Sequence, residues 1–156
     1  MKQLNNFIIE KLKITKDTKI VNHVYKYFPE TRDQLLKILM WRLHNNKDVN
    51  LNDIDTSKVK NMESLFCDLN PHNINISQWN VSNVGNMNGM FAHCDKFNCD
   101  LSKWNVSKVK DFRMMFLNCE SFDSDLSNWN VSNGNYFGLM FQGCKSLKNK
   151  PSWYKY

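Results

Sequence analysis

The chain has 156 residues, of which 42% are hydrophobic and 13% aromatic. That suffices for one domain with a core and excludes a disordered chain. Five Gly, three Pro and a mean hydropathy of -0.57 exclude collagen-like, low-complexity and membrane-spanning readings. The net charge of +6 is uneven: residues 1–50 carry 10 basic and 5 acidic side chains, and the remainder 11 and 10. This Lys-rich first third reads as solvated surface, with a weak contact to an anionic surface as the alternative. No Arg cluster and no aromatic–basic interleaving points to nucleic acid.

In chain order, Met1–Glu10 has only Phe7, Ile8 and Ile9 as an apolar run, too short for a signal peptide, and the first Cys is Cys67. No lipid anchor is therefore expected, and the expected location is cytoplasmic or virion-associated. Leu4, Phe7, Ile8 and Leu12 fit a first short helix, and Ile20–Phe28 an extended piece. Thr31-Arg32-Asp33-Gln34 after Pro29 reads as a capping box opening a second helix to about Asn45, with Leu35, Leu36, Leu39 and Leu43 on one face. Residues 1–50 are thus expected to form a helical cap, with a separate function-bearing module as the alternative.

From Ile54 onward the chain repeats. Trp79, Trp104 and Trp129 are 25 residues apart, each opening the string W-N-V-S, and Ile54 stands one period earlier in I-D-T-S. Counting from that residue as offset 0, apolar side chains recur at offsets 0, 2, 5, 8, 11, 12, 15, 18 and 22. Over four copies 32 of 36 such positions are apolar, against about 15 expected from the 42% hydrophobic content. Self-similarity at this period marks a stacked-repeat architecture, because one copy cannot bury its apolar set alone. Offsets 0 and 2 predict a short strand. Ser57, Ser82, Ser107 and Ser132 then stand as N-caps before a short helix at offsets 5–12, and offsets 18–22 return extended. The expected domains are residues 1–50, 51–150 and 151–156, the last a C-terminal cap around Trp153, which lies 24 residues after Trp129.

The pattern W-N-V-S-N-V-x-N-M-x-x-M-F, followed by Cys, Phe and D-L-S, resembles the leucine-rich repeats of BspA type. These occur in bacterial surface proteins, in mycoplasma and Listeria lipoproteins and in some phages. The resemblance covers residues 54–150. It implies an α/β fold, a short leucine-rich-repeat solenoid with strand plus short helix per 25-residue repeat and a parallel sheet along one side. It also implies binding rather than catalysis.

Candidate functional residues follow from the columns. Cys94, Cys119 and Cys144 share offset 15, where the first copy has Leu69, so they read as core; His93, Cys94, Cys99 and Cys119 lack the paired spacing of a zinc site. With five Cys and no recurring His, neither a disulfide framework nor a nucleophile motif is expected. No catalytic residue, metal or cofactor is assigned. Offset 1, holding Asp55, Asn80, Asn105 and Asn130, forms a polar ladder on the expected sheet face, joined by Lys103. It is either a binding face or a set of mutually bonded side chains. Offsets 7 and 10, polar in the first copies, become apolar at Met114, Tyr136 and Leu139. These three are either an exposed contact patch or a surface covered by Trp153 and Tyr154. The expected function is a non-enzymatic module that binds another protein. The alternatives are a virion or assembly component, or a phage inhibitor of a host defence protein acting by protein contact.

Overall fold

A computed structural model describes residues 25–45, 49–67 and 69–155. The first expected helix, Leu4–Leu12, lies outside them. Helix α1 runs Arg32–Asn45. Its capping box closes in both directions: Gln34 N–H donates to Thr31 Oγ1 at 3.3 Å, and Thr31 N–H donates back to Gln34 Oε1 at 3.4 Å, which also accepts from Glu30 N–H at 2.7 Å. One stripe of α1, Leu35, Ile38, Leu39 and Leu43, is fully buried. Arg42 fastens the other end, forking onto both oxygens of Asp53 at 3.1 Å and donating to the Asn50 carbonyl at 2.9 Å. Beyond α1, Tyr27 pairs with Ile54, and Asn50 with Asn75, as isolated parallel bridges.

The expected strand-plus-helix solenoid is overturned. Among the described residues α1 is the one helix, and no strand or sheet is formed. The 25-residue copies instead are coils of consecutive turns. They meet through isolated parallel bridges, Asn61 to Asn86 to Asp111 to Tyr136.

Two causes prevent the helix expected at offsets 5–12. First, the backbone turns left-handed at offset 10 in every copy: Ser64 (φ 49°), Gly89 (60°), Met114 (54°) and Leu139 (62°). It does so again at offset 14 in His93, Asn118 and Gly143 (61°, 57° and 78°). A left-handed residue ends a right-handed helical run. Second, the N–H groups are divided between two destinations. Met87, Gly89, Phe91 and His93 donate to Asp111, Arg113, Met115 and Leu117 of the next coil at 2.8–2.9 Å. The intervening Met90, Ala92 and Cys94 donate three residues back in their own coil, to Met87, Gly89 and Phe91, at 3.0–3.2 Å. The apolar spacing that looked helical is mainly a period of three set by successive turns, with the neighbours at offsets 11 and 12 both buried.

The Ser column likewise caps no helix. Ser82 and Ser107 donate N–H and Oγ–H to the side chain of the Asn two residues earlier, Asn80 and Asn105, closing a local turn.

Stacked in register, identical side chains form columns. Phe66, Phe91, Phe116 and Phe141 stack with centroids 5.3, 5.5 and 5.7 Å apart. Phe97 and Phe122 pack on this column, each 4.1 Å from the ring before it. Three Trp indoles donate to a carbonyl 28 residues back: Trp79 to Leu51, Trp104 to Ile76 and Trp129 to Leu101, at 2.9–3.2 Å. Trp153, one residue out of register, still stacks on Trp129 at 6.4 Å and donates to Leu126 O. It completes the column at the far end. Gly134 breaks the Val column at offset 5 because the Phe137 ring fills the space its side chain would take.

The Phe column sets a stability expectation. Phe91→Ala opens a void between two coils and is expected to cost about 3–5 kcal/mol in urea denaturation. Phe141→Ala, with a coil on one side only, is expected to cost less.

Candidate functional site

The Cys column faces inward. Cys94, Cys119 and Cys144 each donate an S–H to a carbonyl 28 residues earlier, at Phe66, Phe91 and Phe116, over 2.9–3.1 Å. Burial pushes the Cys119 thiol well up and that of Cys144 up to about 11. These are packed thiols rather than reactive ones. Among the described residues no three His, Cys, Asp or Glu side chains gather as a metal site.

The offset-1 ladder, a candidate binding face, has a local task. Asp55, Asn80, Asn105 and Asn130 each accept the N–H of the Ser two residues on, at 3.0–3.2 Å. They are bonded within their own turns, not along the stack. Asn80, Asn105, Asn130 and Lys103 are exposed, and Asp55 is half-buried. Two further columns do the same. Offset 21 holds Asn75, Asp100 and Asp125, each accepting from a Ser N–H at 2.9–3.1 Å. Offset 7 holds Asn61, Asn86 and Asp111, accepting from Glu63, Asn88 and Arg113 at 2.8–3.0 Å. Sequence reading did not see these turn caps, although the x-Asn-x-Ser spacing carries their signature.

Met114, Tyr136 and Leu139 lie on the turn-built side of the coils, not on a helix. Tyr136 and Leu139 are 54% and 53% exposed, while Met114 is half-buried. Trp153 and Tyr154 pack instead on Phe137 and Phe141 and leave Tyr136 and Leu139 open to solvent. Below them, Arg113 lays its guanidinium 5.1 Å from the centre of the Tyr136 ring. Arg113 is fixed there by a fork onto Asp111 at 2.6–3.2 Å. Burial works to raise the Asp111 carboxyl, but the bonds and charge of Arg113 outweigh it and hold the group below the usual range.

This arrangement breaks the repeat at offset 7. Tyr136 occupies the offset-7 slot and has no side-chain oxygen in reach of its own turn. Among the described residues nothing accepts the Gly138 N–H that an Asx residue would satisfy. Beside it, Leu139 occupies the left-handed slot of offset 10, as Ser64 and Met114 do in their coils; only Gly89 fills that slot at no steric penalty, whereas an L side chain costs roughly 1–2 kcal/mol.

Residues 36–154 match the family model described as "Mycoplasma protein of unknown function, DUF285". The chain belongs to this family. No curated protein and no solved structure matches the chain. The matched segment of this DUF285 member takes in most of α1, all four coils and Trp153. No helix among its described residues is long and apolar enough to cross a membrane.

The turn caps give a pH dependence. Bonds from Ser102 and Ser127, side chain first and then backbone N–H, lower the carboxyls of Asp100 and Asp125. Their stabilisation is present above the unfolded value of about 4 and is lost as pH falls through the lowered folded value. Melting temperature followed from about pH 5 to pH 2 is expected to drop more in the wild type than in Asp100→Asn/Asp125→Asn. That variant keeps the turn acceptor already used at Asn75.

Proposed function

We propose that this chain is a non-enzymatic interaction module that binds another protein through Tyr136, Leu139 and the half-buried Met114. The observation that carries the reading is the missing cap at Tyr136 beside two exposed apolar side chains. Tyr136 forgoes a turn cap that the three preceding coils all make. Leu139 holds φ 62° while more than half exposed. Neither side chain repays this by filling the core. Strain without a packing return is a sign of a site selected for contact.

The resemblance of the W-N-V-S repeat to the BspA type supports the same reading, since that family comprises bacterial surface proteins associated with binding. Packed thiols and turn-capping carboxylates also leave little in the coils for chemistry. The bound partner is therefore a macromolecule meeting a fixed surface, with Arg113 holding the Tyr136 ring ready for it.

The test restores the repeat's own residues. Tyr136→Asn/Leu139→Gly is expected to fold with stability unchanged or raised by about 1–2 kcal/mol, since the cap returns and the left-handed penalty goes. Binding of a partner isolated on the wild-type chain, then measured with purified components, is expected to be lost. Equal binding by the double variant would move the site elsewhere.

A further inference from the structure

The stack has a direction on its turn side. At offsets 8, 10 and 12 the first three coils donate N–H groups to carbonyls of the coil that follows, and the second and third do so at offset 14 as well. The third coil does this from Phe112, Met114, Phe116 and Asn118 to Tyr136, Gly138, Met140 and Gln142, at 2.7–3.0 Å. In the fourth coil, the corresponding N–H groups of Leu139, Phe141 and Gly143 meet no acceptor among the described residues. A row of donors at every second residue is left along the C-terminal edge, next to the exposed Leu139 side chain. The edge runs directly into Lys145, Lys148 and Lys150, and residues 129–156 contain four Lys and no Asp or Glu. Lys148 and Lys150 are exposed.

We propose that this edge docks an acidic peptide segment of another protein, laid alongside the fourth coil as a further rung. Its carbonyls at every second residue accept from Leu139, Phe141 and Gly143. Its apolar side chains meet Leu139, and its carboxylates meet Lys148 and Lys150. Backbone addition of this kind draws affinity from main-chain bonds and selectivity from the flanking side chains.

A second copy of the chain is a poor occupant. Donor edge against donor edge forms no bonds, and two basic ends repel. At the opposite, acceptor end, Arg32 of α1 already takes one carbonyl, its Nε donating to Glu63 O at 2.5 Å. Residues 1–24 hold five Lys against Glu10 and Asp17, the wrong charge for this edge.

The inference rests on the proposed interaction module and names the chemistry of its partner. The probe is a peptide of about eight residues alternating Val and Glu, long enough for one strand, added to the 156-residue chain. Amide hydrogen exchange is read residue by residue. Without peptide, Leu139 and Gly143 are expected to exchange at least about tenfold faster than Met114 and Asn118, their counterparts one coil back. Saturating peptide is expected to slow Leu139, Phe141 and Gly143 about tenfold or more. The affinity is expected to fall with added salt and to fall about tenfold in Lys148→Glu/Lys150→Glu. A peptide of alternating Val and Lys is the control. Failure of the Val–Glu peptide to protect the three amides, or equal binding of the Val–Lys peptide, overturns the proposal. If partner binding is nevertheless lost in Tyr136→Asn/Leu139→Gly, the interaction module stands and only the acidic-peptide edge falls.

Discussion

Everything in this molecule depends on register between coils 25 residues apart. Half of the turn-side N–H groups bond within their own coil, and the other half reach to the next. Neither set would hold a chain alone. A three-residue turn is a weak unit in water, and inter-coil bonds exchange with solvent at little net gain. What fixes the register is the interior, where a Phe ring must lie on a Phe ring and an indole must find its carbonyl. A slip of one residue would set Phe91 beside Met115 or Leu117 and would break all the columns together. Apolar stacking therefore selects the register, and the hydrogen bonds make it specific.

The polar exterior serves the same end. A coil built from turns has many N–H groups at corners, where no neighbouring coil can take them. Columns of Asn and Asp at offsets 1, 7 and 21 supply the acceptors from their own side chains. This also changes the meaning of the polar ladder, since a residue that closes its own turn has its side-chain oxygen already engaged. The contact surface is better sought where the caps are missing, at Tyr136 and Leu139.

Much of the packing was legible in the sequence. All nine apolar offsets of the second and third copies are buried, from Trp79 to Leu126. The capping box at Thr31 and Gln34 forms, and the inward Cys column could be read from its exchange with Leu69. The local structure was not legible. Apolar residues spaced three and four apart fit a helix as well as a run of turns, and periodicity alone does not separate them. The deciding signal was the residue at offset 10. Gly89 marks the left-handed turn openly, whereas Ser64, Met114 and Leu139 conceal it. The broken column pointed to Tyr136 and Leu139 but left open whether the C-terminal tail covers them, and the missing turn cap and the left-handed backbone beneath them needed coordinates. The donor edge had no signal in the sequence at all, because it belongs to the backbone.

The Trp column has a further consequence, concerning how such a chain can change its length over generations. The indoles of Trp79, Trp104 and Trp129 each read a carbonyl 28 residues back, and Phe91, Phe116 and Phe141 each a Phe 25 residues back. Geometry at any coil depends only on its immediate neighbours. Excising residues 79–103 would bring Phe116 onto Phe66 and Trp104 within reach of Leu51, with α1 and Trp153 seated as before. Gaining or losing a single residue inside a coil has no such escape. Size in this architecture is therefore quantised, and duplication or deletion of a whole coil is the step that preserves the fold while relocating its two ends.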